Sequence, residues 1–375
     1  MRNILLVEPA YNNPYPPLGL MKISSMHKAN GDKVQIFKDT SYHSIIENYP
    51  HNYYKILDDH YDLIYITSLF TYQAFYVIKT VNYFKVKYPD AKIKIGGIFA
   101  SLMPDYIETK TGIKPFVGLL NEAEYFPPDY TLFPNWDCSI SFTSRGCPRS
   151  CKYCAVKKHE PIFFTKDNWL QDIDITKRKI IFWDNNWLAS PNFVKDIIRM
   201  KTLVNNAKIL EIDFNQGLDC RLINEKNIKA ISSLPIKPLR LAFDNPSEDG
   251  YIQKAIELAH RYGIKDISVY VLYNSDLSND DPDYFYYRIN EINKLGALSY
   301  PMKYRPIDSL NPNYISEKWD KKLLRALKLS LMFFYSKGII RTNRDAFLKI
   351  YGTNSIEFTN KLYEIFEKDK KRNTL

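Results

Sequence analysis

Residues 141–156 read SFTSRGCPRSCKYCAV and place three of the chain's five cysteines, Cys147, Cys151 and Cys154, on one short stretch. The spacing is C-x3-C-x2-C. Structural zinc and electron-transfer iron–sulfur centres close their shells with four protein ligands. Three thiolates instead hold three irons of a [4Fe–4S] cluster and leave the fourth iron open to a small molecule, which is a catalytic arrangement. Two other readings compete. A thioredoxin-like "CKYC" uses two thiols and leaves Cys147 surplus. A Cys3His zinc site would take His159, five residues after Cys154, as its fourth ligand. Context favours the cluster, because zinc knuckles staple small folds and this loop heads a long series of strand and helix patterns.

That series starts at Cys138. Strand-like runs recur at 138–143, 179–184, 208–214, 239–244, 266–273 and 298–304, with helical patterns at 190–204, 224–234 and 248–263. Ser190 and Asn224 read as helix N-caps and Gly263 as a C-cap. Six successive βα units imply a curved, partly closed parallel barrel, whose chemistry sits at the strands' C-terminal ends. The cysteine loop leaves the first of those ends. Upstream, strands are expected at 3–9, 33–39, 62–70, 92–100 and 114–119, and helices at 18–31, closing on Gly31, and 71–88. This alternation implies a doubly wound parallel sheet with ligands at the strands' carboxyl ends. Two places qualify, the proline-rich loop 9–19 and the pair Gly96-Gly97. The expected class is thus α/β, with a first domain over 1–125, a linker over 126–137, the barrel over 138–306 and a helical region over 307–375.

Composition narrows the function classes. The 375 residues carry a formal charge of +10, with 52 Lys and Arg against 42 Asp and Glu. The lysines are spread along the whole chain, so the excess reads as a solvated surface before it reads as a nucleic-acid footprint. No apolar run has the length of a membrane span, and the N-terminal "RNILLVEP" reads as a strand. Few, clustered cysteines suit a reducing compartment, and the expected location is the cytoplasm. Cys138 and Cys220 read as buried or half-buried thiols. His27, His43, His51, His60 and His260 are scattered and form no ligand pair. No nucleophile elbow or P-loop is visible, and no catalytic acid or base is assigned.

The motif "CPRSCKYC" resembles the C-x3-C-x-φ-C signature of the radical S-adenosylmethionine (radical SAM) superfamily, with Tyr153 at the aromatic position. The resemblance covers about residues 138–305. It implies a [4Fe–4S] cluster on Cys147, Cys151 and Cys154 whose open iron chelates S-adenosylmethionine, and one-electron cleavage to a 5′-deoxyadenosyl radical that abstracts hydrogen. Carried over residue by residue, it gives further cofactor contacts. "FWDNNW" (182–187) ends the second barrel strand and places Asp184, Asn185 and Asn186 where the superfamily faces the amino group of S-adenosylmethionine. The glycine-glycine-glutamate form is absent. "DFNQGLDCRL" (213–222) offers Asn215, Gln216, Asp219 and Arg221 near ribose and carboxylate; an Arg fork suits a carboxylate, while Asp219 also suits a cap. Asp244 and Arg305, ending later strands, face cofactor, substrate or each other.

The front domain resembles the cobalamin (B12)-binding domains of the same superfamily through "PPLGLMKISS" (16–25), "SLFTYQ" (68–73), "GGIFASLMP" (96–104) and "GLLNEAE" (118–124). The D-x-H-x-x-G motif for a lower histidine ligand is absent. The resemblance therefore admits cobalamin as a third cofactor, with radical methyl transfer as the matching chemistry. It implies a reductant such as flavodoxin or ferredoxin, no membrane partner, and a substrate that is a small molecule, peptide or RNA. The alternative from another class is a non-catalytic nucleic-acid-binding protein stabilised by zinc or a cluster.

Overall fold

A computed structural model of the chain describes residues 1–39, 56, 60–277, 280–334 and 338–372. His43 and His51 lie outside the described residues. Contacts divide the chain into two units, Met1–Asn185 with Ile307–Pro312, and Asn186–Pro306 with Asn313–Leu375.

The first unit opens with β1 (Asn3–Glu8), followed by α1 (Leu18–Ala29), β2 (Lys33–Lys38), β3 (Leu63–Ser68), α2 (Ala74–Lys87) and β4 (Lys92–Gly97). The four strands form one parallel sheet in the order β2-β1-β3-β4. Unbroken apolar runs such as "NILLVE" suit a parallel sheet covered on both faces. Alternation then sorts the side chains. Leu5, Val7, Ile64 and Ile66 pack with Val77, Val81 and Phe84 of α2. Ile4, Leu6 and Leu63 pack with Leu20 and Met21 of α1. Each such buried side chain contributes roughly 1.5–3 kcal/mol.

Two expected strands are corrected here. The run 92–100 stops at Gly97, whose φ is +105° and whose Cβ, if it had one, would lie 2.2 Å from the Ser68 carbonyl oxygen. The chain turns there into α3 (Ile98–Leu102) and α4 (Pro104–Thr111). The run 114–119 forms no strand. Pro115 lacks an N–H, and although Phe116 donates to the Ile95 carbonyl at 2.8 Å, Phe116 and Val117 are exposed. A short α5 (Asn121–Glu124) follows. Next come β5 (Cys138–Ser141), β6 (Ser144–Arg145), α6 (Val156–His159), β7 (Phe164–Thr165) and β8 (Lys179–Phe182). β5 and β8 pair in parallel, and β6 and β7 form an antiparallel ribbon that the sequence reading did not foresee.

The second unit contains α7 (Phe193–Ala207), β9 (Glu211–Phe214), α8 (Glu225–Ile231), β10 (Leu239–Ala242), α9 (Tyr251–Arg261), β11 (Ile267–Tyr273), α10 (Pro282–Lys294) and β12 (Leu298–Lys303). Strands therefore stand at all the positions expected from Cys138 onward, and β10, β11 and β12 pair in parallel. Asn224 caps α8, accepting from Asn227 N–H at 3.1 Å. Ser190 does not cap α7. It precedes Pro191, which holds it extended, and Asn192 takes the N-cap position while donating its N–H to Ser190 Oγ. Gly31 and Gly263 both adopt left-handed φ just past their helices. Within the expected helical region 307–375, the first helix is capped by Asp320, whose carboxylate accepts from the N–H groups of Lys322 and Leu323. It forms α11 (Lys321–Phe333), and α12 (Arg344–Tyr351) and α13 (Ser355–Arg372) complete the chain. Residues 335–337 of that expectation lie outside the described residues. Among the described residues, no helix is long and apolar enough to cross a membrane.

Candidate active site

The cysteine loop is launched from β6 and returns through α6 to β7. Its first turn needs Gly146, at φ +72°, because a Cβ there would sit 2.2 Å from the Ile162 carbonyl oxygen. Cys147, Cys151 and Cys154 are all half-buried, and no disulfide joins them. Arg149 N–H points at Cys147 Sγ (3.4 Å), and Cys154 N–H closes a turn onto the Cys151 carbonyl (3.1 Å). Half-buried Tyr153 occupies that turn. Thiols presented on one loop, with a backbone donor aimed at sulfur, form a donor set that fits an iron–sulfur cluster. Among the described residues, no three His, Cys, Asp or Glu side chains converge on a point that would hold a single metal ion. His159, the fourth ligand of the zinc alternative, has its Nδ1 2.9 Å from Ser101 Oγ. Burial lowers its pKa, against the pull of Glu160. Nothing in this arrangement supports the zinc reading.

Asp184 and Asn185 end β8 in the first unit. Asp184 is buried, and its carboxylate accepts from Thr143 N–H and Oγ1 and from Ser144 N–H and Oγ, all within 2.6–2.9 Å. Burial pushes its pKa up against these four donors. Its oxygens thus clamp the turn that leads into β6. Asn185 donates to Glu160 Oε2 at 3.2 Å.

The sequence reading missed a buried chain of ionic groups behind this loop. Lys22 of α1 is 2.8 Å from Asp172, and both are almost fully buried. Asp172 also meets Lys166 (3.2 Å), Lys166 meets Glu124 (3.3 Å), and Arg145 lies between Glu124 (3.8 Å) and Glu160 (3.3 Å). Burial lowers the pKa of Lys22, and it pushes Glu124 up less than Arg145, Lys166 and Lys22 pull it down. No single-sequence signal links Lys22 with Asp172, which stand 150 positions apart. A second buried pair, Lys38 with Glu8 at 3.2 Å, anchors the start of the proline-rich loop, since Lys38 also donates to the carbonyls of Pro9 and Tyr11. At the other expected ligand position, the Cβ position of Gly96 has open space around it. No histidine of a D-x-H-x-x-G motif accompanies it, and the neighbouring Gly97 is crowded by the Ser68 backbone.

The remaining candidates belong to the second unit. Asn186 is buried, donates to Asp219 at 3.2 Å, and leaves its Oδ1 without a partner. A buried, orphaned acceptor fits a donor such as an ammonium group. Asp219 is the expected cap, accepting from Arg221 N–H, and it also receives Arg221 Nε at 2.7 Å. Arg221 Nη1 lies 3.7 Å from Glu248. Its fork is thus partly engaged by protein carboxylates. Asn215 is half-buried, its carbonyl accepting from Tyr270 Oη, and Gln216 is exposed. Asp244 accepts from Leu272 N–H at 2.8 Å, and burial, reinforced by the Glu248 charge, pushes its carboxyl to about 7. Arg305 follows β12, where its charge bears on Tyr273 and Lys303. Cys138 and Cys220 are both buried, and burial pushes the Cys220 thiol up to about 12.

No family model and no curated protein matches the sequence. The fold, an α/β class with parallel sheets and many helices, is nevertheless similar to that of a solved radical S-adenosylmethionine methyltransferase. One similar solved structure is the radical S-adenosylmethionine methyltransferase TsrM from Kitasatospora setae with cobalamin and a [4Fe–4S] cluster bound. It is 13% identical, the match covers 82% of this chain and 77% of that one, and the TM-score is 0.61. The same enzyme with its tryptophan substrate and the S-adenosylmethionine analogue aza-SAM bound gives 12% identity, coverage of 83% and 75%, and a TM-score of 0.62. At these identities the likeness is one of fold.

Proposed function

We propose that the chain is a radical SAM enzyme. The observation that carries this reading is the loop Cys147–Cys154, which presents three half-buried thiols at C-x3-C-x2-C spacing within a fold similar to that of TsrM. Cys147, Cys151 and Cys154 would hold the [4Fe–4S] cluster. When bound, the cluster and S-adenosylmethionine would supply reductive one-electron cleavage of a carbon–sulfur bond, and cobalamin would add radical methyl transfer.

The chain's own residues then have distinct tasks. Tyr153 shapes the cysteine turn. Asp184 fixes the turn before β6, and Asn185 ties the end of β8 to Glu160. Asn186 Oδ1 offers the amino group of S-adenosylmethionine a desolvated acceptor. Asn215, Gln216, Arg221, Asp244 and Arg305 complete the cofactor-binding set. The division of labour follows a cobalamin-binding-type front domain over 1–125, a linker over 126–137, the barrel over 138–306 and a helical region over 307–375. A flavodoxin- or ferredoxin-type reductant supplies the electron, and the cytoplasm is the matching compartment. Similarity to TsrM, solved with tryptophan, favours a small-molecule substrate.

The test is anaerobic reconstitution with iron, sulfide and S-adenosylmethionine, followed by a strong reductant. Release of 5′-deoxyadenosine that depends on Cys151 supports the reading. A reconstituted cluster that gives neither such release nor, with cobalamin added, methyl transfer from S-adenosylmethionine removes it.

A further inference from the structure

We propose that Glu160 is a positioning residue that clasps the cysteine loop shut; this rests on the cluster reading above. Glu160 directly follows α6, at the closing end of the loop, and it is buried. Its Oε2 accepts the Gly146 N–H at 2.8 Å, one residue before Cys147, where the loop opens. The same oxygen accepts from Asn185 at the end of β8 (3.2 Å). Oε1 faces Arg145 Nη2 at 3.3 Å and His159 Nε2 at 3.8 Å. One carboxylate thus joins both ends of the loop and the strand that flanks it.

The clasp is backed by the front domain. Arg145 passes the charge alternation to Glu124, Lys166 and Asp172 and ends at Lys22 of α1, which also donates to the Phe126 carbonyl at 2.9 Å. His159 adds a second tie through Ser101, whose Oγ accepts from Gly118 N–H. A buried anion is held in place only when its countercharges and donors are complete, so the Glu160 carboxylate has one favoured position. Groups behind metal ligands commonly change metal affinity ~10–100-fold when removed. The Glu160 carboxylate acts on Cys147 at one remove, by accepting the N–H of Gly146, the residue before it.

The test compares wild-type, Glu160→Ala and Glu160→Gln proteins, each reconstituted anaerobically. Iron content, the rate of iron release to a chelator and the cluster's midpoint potential are measured, with circular dichroism as the folding control. The expected result is a ~10-fold or greater rise in release rate for Glu160→Ala and a rate near wild type for Glu160→Gln, which keeps an acceptor for Gly146. Glu160→Gln is also expected to raise the midpoint potential, because a negative charge near the cluster is lost. A merely structural role would leave that potential unmoved. Unchanged release in a folded Glu160→Ala protein overturns the clasp and leaves the cluster reading intact. Should Glu160→Ala not fold, the potential of Glu160→Gln decides, and an unshifted value overturns the proposal. A wild-type protein that takes up no iron overturns the cluster reading and the clasp together.

Discussion

Replacing Gly146 by Ala tests whether the cysteine loop depends on one backbone position. A left-handed φ of +72° costs an L residue about 1–2 kcal/mol. The new Cβ would also lie 2.2 Å from Ile162 O, 2.8 Å from Ile162 C and 3.1 Å from Glu160 O. All three are backbone atoms, so no side chain can swing away. Overpacking of this kind adds roughly 1–3 kcal/mol. The sum is ~2–5 kcal/mol, and at ~2–4 °C per kcal/mol for a unit of this size the melting temperature should fall by ~4–20 °C. Gly31→Ala is the matched control in the same unit, since its φ is +79° but nothing lies within 4 Å of its Cβ position. It should lose only the strain of about 1–2 kcal/mol. Thermal unfolding of the metal-free proteins by circular dichroism gives both values. A Gly146→Ala protein that melts no lower than Gly31→Ala would refute the argument that the Ile162 backbone dictates glycine there.

Further outcomes are expected. Lys22→Met strands Asp172 beside a single remaining cation in a buried site, and urea unfolding should show a loss of roughly 3–5 kcal/mol. Asn186→Ala should weaken S-adenosylmethionine binding ~10–100-fold, the equivalent of a hydrogen bond to a charged group at about 1.5–3 kcal/mol, while iron content stays at the wild-type level; equilibrium dialysis of the cofactor measures it. Asp244 has a folded pKa of about 7, raised from 3.8, so its contribution is fully present below 3.8 and is lost as pH rises through 7. Asp244→Asn keeps an acceptor for Leu272 N–H, and its melting temperature should therefore decline less than that of the wild type between pH 5 and pH 8.

What was legible in the sequence was what local pattern controls. Apolar runs such as "NILLVE" and "KIIF" mark strands because parallel strands buried on both faces need them, and Asn224 announces its cap because Asn227 stands three residues on. The cysteine spacing set the candidate chemistry. What was not legible depended on pairs distant in sequence. Gly97 must be glycine because its φ is +105° and a Cβ there would meet the Ser68 backbone, and Pro115, in a run that forms no strand, lacks the N–H a ladder needs. The ribbon of β6 and β7 is too short to leave a periodic pattern. The ion chain from Lys22 to Glu160 looks, in sequence, like ordinary surface charge. Asp184 reads as a cofactor contact through the family resemblance of "FWDNNW"; that its oxygens accept from Thr143 and Ser144 depends on residues 41 and 40 positions away.

The most direct measurement is a metal count and visible spectrum on anaerobically reconstituted wild-type protein beside Cys151→Ala, with Cys220→Ala as control. A cluster on Cys147, Cys151 and Cys154 requires a brown wild-type protein with about four irons per chain, retained in Cys220→Ala and lost in Cys151→Ala. Bound cobalt would add the cobalamin chemistry. One zinc per chain and no visible absorption would contradict the radical SAM reading outright.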